Sequence, residues 1–192
     1  VIMKFKVKDD FLLKRIKKLK SYTCKQEKEI LLNDDLSIQE IYKILSPKGP
    51  KPVNDLECMV FIIKLIEISV SDVFNKMYEC QCGIVNEVNY STEDLLNLDQ
   101  DSEIPLGIFE SPDDILKENE INKIKLKDYN KLQDKIKKQN EKIINLTIKD
   151  KCRTCKKENN IIINPIDLIS RTNIGGIYEE YFSLTFYSGM SK

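Results

Sequence analysis

The sequence contains no histidine and no tryptophan. Missing histidine removes the commonest general base, the usual catalytic zinc ligand and the side chain that titrates near physiological pH. It excludes any Ser/His/Asp or Cys/His constellation and weighs against an enzyme. A phosphate-cradling loop is missing too, since Gly175-Gly176 stands alone without a Walker lysine. The acidic pairs Asp9-Asp10, Asp34-Asp35 and Asp113-Asp114 lie in polar segments, where helix starts and solvated carboxylates are simpler readings than catalytic dyads. Charge of one sign is also lacking: Lys+Arg and Asp+Glu number 31 each, for a formal net charge of zero. That balance argues against a surface given over to nucleic acid, though it leaves room for a local basic face. No apolar run is long enough to span a bilayer, because the most apolar stretch, Cys58 to Val70, is broken by Lys64 and Glu67. With no signal-peptide pattern visible, the expectation is a soluble protein made and kept in a reducing cytoplasm. There, clustered cysteines are metal sites more often than disulfides.

What is present is a pair of short cysteine clusters, Cys80-Gln81-Cys82-Gly83 and Cys152-Arg153-Thr154-Cys155. Each is flanked by apolar stretches that read as strands, Asp72–Glu79 and Ile84–Tyr90 around the first, Ile144–Ile148 and Ile161–Asn164 around the second. A repeated strand, knuckle and strand is the sequence form of a zinc ribbon. Without histidine, four thiolates are the available ligand set for a closed structural Zn2+ site. Gly83 suits the tight turn because glycine adopts positive φ readily, whereas the second cluster carries Lys156 at the corresponding place. Lys151, Arg153, Lys156 and Lys157 surround the second cluster, and such cations favour thiolates. Cys80-x-Cys82 is one residue shorter than the common knuckle. A redox dithiol at Cys152 and Cys155 and a set of unmetallated cysteines are the competing readings. Isolated Cys24 and Cys58 are expected to be small buried hydrophobes.

The pattern along the chain is α+β: zinc-ribbon-like β-hairpins joined to helical N- and C-terminal segments, with a charged insertion between the knuckles. Residues 1–53 form an N-terminal strand and helical segment. Within it, residues 3–8 alternate apolar and basic, and a basic helix over Asp10–Lys20 sets Lys14, Arg15, Lys17, Lys18 and Lys20 opposite an apolar stripe. That basic side is a phosphate-binding helix or, more simply, a solvated face. A helix over Ser37–Leu45 ends in the stiff turn Ser46–Pro52. Residues 54–92 comprise a buried helix and the first ribbon half: Asn54 is the N-cap, Glu57 its capping-box partner, and the helix is apolar almost all round. Residues 93–143 are the insertion, in which an acidic, turn-rich stretch precedes a lysine-rich helix expected to be mostly exposed. Residues 144–165 form the second ribbon half, and residues 166–192 an aromatic helical segment.

One resemblance covers about residues 53–92 and 146–190. A buried helix after a Pro-rich turn (Val53 to Phe61), a strand into a knuckle (Tyr78 to Cys82), the later Cys-x-x-Cys and the aromatic run Ile177–Tyr187 follow one another in this order. In this the chain resembles the baseplate hub and hub-assembly proteins of T4-like contractile-tailed bacteriophages. The resemblance implies a virion or assembly role without enzymatic activity, located in the tail baseplate or in the host cytoplasm during assembly. It implies other tail and baseplate proteins as partners and no membrane, with Tyr178, Tyr181, Phe182, Phe186 and Tyr187 as the partner-binding side chains. From another class, the ribbon and basic helix also fit a nucleic-acid-binding, transcription-factor-like protein. The zero net charge and the acidic stretch Asp94–Glu120 speak against it.

Overall fold

The computed structural model describes residues 12–98 and 104–169. The expected strand over residues 3–8, the start of the basic helix at Asp10 and Phe11, and the aromatic helix bearing Tyr178, Tyr181, Phe182, Phe186 and Tyr187 lie outside the described residues. Four helices come first: α1 (Leu12–Ile16), α2 (Cys24–Leu31), α3 (Ile38–Leu45) and α4 (Asp55–Ser69). An antiparallel hairpin follows, β1 (Val73–Glu79) with β2 (Val85–Ser91). The short helices α5 (Thr92–Leu95), α6 (Pro112–Ile115) and α7 (Glu118–Ile121) lead to the long α8 (Leu126–Ile143). A second antiparallel hairpin, β3 (Thr147–Lys151) with β4 (Glu158–Ile162), precedes a single 3₁₀ turn at Pro165–Leu168. The fold is mixed α+β, with two small hairpins set against helices. Among the described residues, no helix is long and apolar enough to cross a membrane.

Helix α4 is the centre of the molecule. Its near-continuous apolar sequence leaves no hydrophilic face to turn outward, and Cys58, Val60, Phe61, Ile62, Ile63, Leu65 and Ile66 are all fully buried. Burial of side chains of this size contributes about 1.5–3 kcal/mol each. Asn54 caps the helix by accepting the Glu57 N–H at 3.0 Å. The Glu57 carboxylate departs from the expected capping box, reaching one residue further back to accept the Val53 N–H at 2.6 Å. Tyr42 of α3 stacks at a tilt on Phe61, centroids 5.5 Å apart. Phe74, Val88 and Tyr90 of the first hairpin belong to the same core, as do Ile161, Ile163, Leu168 and Ile169. Tyr22 closes the chain across it, donating its hydroxyl to the Ile169 carbonyl at 2.7 Å.

Several details differ from the sequence reading. The described part of the basic helix is short, and Arg15 does not join the lysines in solvent: it pairs with Glu57 and lies over the Phe61 ring. Helix α2 was not foreseen, although Thr23 and Gln26 form a full capping box at its start. Cys24 opens that helix and is exposed, not buried, because the face that α2 turns inward carries Ile30. Cys58 is buried as expected, donating its thiol to the Ile38 carbonyl at 3.3 Å; burial pushes its pKa up to about 12 and makes it inert. In the second hairpin, pairing runs closer to the cysteines than predicted, through Lys149, Asp150, Glu158 and Asn159. The knuckle itself is the hairpin turn and sets the register, so polar residues pair next to it.

The insertion folds back on the molecule. At its base Leu96 lies opposite Ile144 in an antiparallel bridge; the Asn97 N–H donates to the Ile143 carbonyl and the Asn145 N–H to the Leu95 carbonyl, both at 2.9 Å. Helix α8 is not mostly exposed: Leu132, Ile136, Gln139 and Ile143 are buried. Leu132 and Ile136 form a second small core with Ile104, Phe109, Ile115 and Leu116. Amide side chains finish the job, Gln139 donating to the Pro105 and Gly107 carbonyls (3.1 and 2.7 Å) and Asn140 to that of Phe109 (2.7 Å). Leu132→Ala should therefore destabilise this minor core by about 2–5 kcal/mol. Hydrogen exchange should accelerate over 104–143 and stay unchanged in α4; equal acceleration in both would show one undivided core.

Candidate metal centre

Each hairpin presents its cysteines from a turn closed by the same two hydrogen bonds. In the first, the Gly83 N–H donates to the Cys80 carbonyl (2.8 Å) and the Cys80 N–H to that of Ile84 (3.0 Å). In the second, the Lys156 N–H donates to the Cys152 carbonyl and the Cys152 N–H to that of Lys157, both at 3.0 Å. The missing residue of the first knuckle is thus absorbed inside its turn, and both turns end in a left-handed residue: Gly83 at φ 78° and Lys156 at φ 62°. Glycine is the expected choice, and Lys156 holds the same conformation with its ammonium bonded to the Arg153 carbonyl at 2.7 Å. A Cβ at Gly83 would meet no atom within 4 Å. Gly83→Ala should therefore cost about 1–2 kcal/mol through backbone strain alone. A thermal melt of the metal-loaded protein showing no loss would contradict this.

The four expected ligands come together. The sulfurs of Cys80, Cys82, Cys152 and Cys155 all lie within 4.8 Å of one another. Two pairs cross between hairpins: Cys80 Sγ to Cys155 Sγ and Cys82 Sγ to Cys152 Sγ, each 3.6 Å. Four sulfurs at about 2.3 Å from one ion in a tetrahedron stand about 3.8 Å apart, so the cluster has the size of a four-thiolate metal site. Cys80 and Cys152 are buried, while Cys82 and Cys155 face solvent. The cluster closes a gap of some seventy residues in sequence and clamps two hairpins that would each be marginal alone.

Both buried cysteines have their thiol pKa lowered. The amide of Cys155, then that of Thr154, with the Asn86 side chain and Cys82 behind them, bring Cys152 down to about 6 against the opposing effect of burial. Cys80 is lowered as well, first by the Cys82 amide. At Cys82 the Ile84 amide pulls the same way, but desolvation and contacts with the other three sulfurs outweigh it and push the thiol up to about 11. Each knuckle thus sets a cysteine of lowered pKa against the second cysteine of the other.

A residue that the sequence reading passed over holds this arrangement. Asn86 is buried in β2; it donates to the Ile84 carbonyl (3.0 Å) and towards Cys152 Sγ (3.5 Å), and accepts the Arg153 N–H (3.0 Å). One amide therefore joins its own knuckle to the backbone and sulfur of the other. The signal was legible in hindsight: Asn86, Val88 and Tyr90 occupy the inward positions of β2, and a polar residue in such a row calls for a partner. Such outer-shell partners orient metal ligands, so Asn86→Ala should weaken metal affinity about 10–100-fold. Competition with a chromogenic chelator measures this, and an unchanged affinity would remove Asn86 from the site. Further cross-links run from Tyr78 Oη to Asp150 Oδ2 (2.6 Å), from Lys76 Nζ to the Ile162 carbonyl (2.8 Å) and from Lys157 to Gln81.

Comparison with family models, with curated proteins and with solved structures finds no match for this chain.

Proposed function

We propose that this chain is a non-enzymatic assembly protein of zinc-ribbon type, stapled by one structural Zn2+ and acting in the baseplate of a contractile phage tail. The observation that carries the zinc reading is the four-cysteine cluster, drawn from two hairpins into one site of tetrahedral dimensions. Cys80, Cys82, Cys152 and Cys155 hold the ion, whose chemistry there is structural: four thiolates leave no position for water or substrate. The zinc serves the fold, and contacts with other tail and baseplate proteins serve the function. Support for the baseplate assignment is the order of buried helix, knuckle, second knuckle and aromatic run in the sequence, with Tyr178, Tyr181, Phe182, Phe186 and Tyr187 as the surface for partners.

Two measurements test the reading separately. Elemental analysis of the purified protein should give one zinc per chain, lost with strong chelators; substoichiometric zinc after expression in zinc-supplemented medium would sink the metal assignment. Co-expression with baseplate hub proteins of a contractile-tailed phage, followed by size-exclusion chromatography, should move the chain into a larger complex. A stable monomer indifferent to those proteins would sink the assembly role and leave the zinc site untouched.

A further inference from the structure

A pocket of about 520 Å³ lies between α1 and the turn that follows α3, built from other elements than the four-cysteine cluster. Arg15, Lys18, Lys48 and Lys51 line it together with Gly49, Pro50 and Val53, and no carboxylate takes part. The turn is fixed from below. Gly49 N–H donates to the Ser46 carbonyl (3.0 Å), Tyr42 Oη to the Pro50 carbonyl (2.6 Å), Arg15 to the Lys51 carbonyl, and Val53 N–H to Glu57 (2.6 Å). A connection of this length is ordinarily among the more mobile parts of a fold. Here four hydrogen bonds hold it in place, and the buried Arg15–Glu57 ion pair fixes two of their side chains, so that Lys48 and Lys51 share the pocket lining with Lys18.

The charges in the pocket are not equivalent. The Arg15 guanidinium is committed to Glu57 and to the Lys51 carbonyl, so its planar fork is spent on the fold. Lys18, Lys48 and Lys51 are exposed, and their ammonium groups have no ion-pair or hydrogen-bond partner among the described residues. The pocket therefore offers three point charges, two of them on an anchored turn, and no free fork. A free fork would grip a carboxylate or a phosphate in two-pronged fashion, whereas ammonium groups act as point charges. Three of them around one pocket favour a ligand that packs several negative charges into a small volume, as phosphates do. We propose that this pocket is a phosphate-binding site for a compact ligand carrying at least two phosphate charges. The site is independent of the zinc and baseplate readings above.

The test is calorimetric titration with inorganic pyrophosphate at low and at physiological salt. Wild-type protein should bind one equivalent, more weakly at the higher salt. The exposed double variant Lys48→Gln/Lys51→Gln should lose at least about tenfold in affinity, while Lys137→Gln/Lys138→Gln on α8 should not change it. Both variants keep the cysteine cluster, so any chelation of metal by pyrophosphate cancels in the comparison. A short single-stranded oligonucleotide tells the source of the phosphate: tighter binding than pyrophosphate, lost in the same double variant, makes the ligand a nucleic acid backbone, and weaker binding makes it a small phosphorylated molecule. Absence of saturation by pyrophosphate, equal affinity in wild type and the Lys48/Lys51 variant, or preference for an oligo-glutamate peptide would each overturn the proposal.

Discussion

Cys152→Ser is expected to cost the protein its metal and both hairpins, while the helical core persists. Cys152 is fully buried, faces Cys82 at 3.6 Å, and is the sulfur to which the Cys155 and Thr154 amides and Asn86 are directed. A serine there presents a weak, protonated ligand in a site built for a thiolate. A structural zinc in a small site contributes on the order of 10 kcal/mol at neutral pH, comparable with the whole stability of a typical domain at about 5–15 kcal/mol. Neither hairpin can replace that from its own strands, which have five to seven residues each.

Elemental analysis with hydrogen exchange reads the outcome. The variant should hold no stoichiometric zinc, and exchange should accelerate over 73–91 and 147–162 before α4 responds. Cys82→Ser should do less, since Cys82 is exposed and its thiol lies up at about 11, and solvent can serve that vertex. Cys24→Ser, exposed and remote from the cluster, should change nothing. Full zinc occupancy and unaltered exchange in Cys152→Ser would refute the structural role of the metal.

How far such a result was legible beforehand depends on the range over which each signal acts. The cysteine clusters, the turn glycine at Gly83 and the apolar wording of α4 are local patterns, and all three are found in the structure where the sequence places them. Asn86 was not legible as a functional residue because its partners, Arg153 and Cys152, lie 67 and 66 residues away. Arg15 looked like one more member of a lysine-rich face for the same reason: Glu57 is 42 residues on. Helix α8 misled through density, not period. Leu132 and Ile136 share a face at helical spacing, but lysines surround them so closely that the stripe looks solvated. Its burial is completed by Gln139 and Asn140, whose amides are neutral in any hydrophobicity pattern.

The second large effect lies at the joint between α1 and α4. Glu57 is almost fully buried and Arg15 keeps only 13% of its side chain exposed, so the pair is shielded from water and salt. The carboxylate has two tasks at once, holding Arg15 with one oxygen and the Val53 N–H with the other. Glu57→Ala should therefore destabilise the zinc-loaded protein by about 3–5 kcal/mol, because a buried guanidinium is left without its counter-charge. Urea unfolding followed by circular dichroism measures this in a chain that has no tryptophan to report. The double change Arg15→Met with Glu57→Leu should recover most of that loss, since desolvating two charges is itself costly and apolar replacements of similar volume pack on Phe61. The Lys51 carbonyl and Val53 N–H that it releases belong to exposed residues and can turn to water. A coupling energy of about 2–3 kcal/mol across the cycle is expected for groups in direct contact. If the two single losses merely add, Arg15 and Glu57 act separately, and the ion pair is not what seats α1 and the turn at residues 46–53 on the central helix.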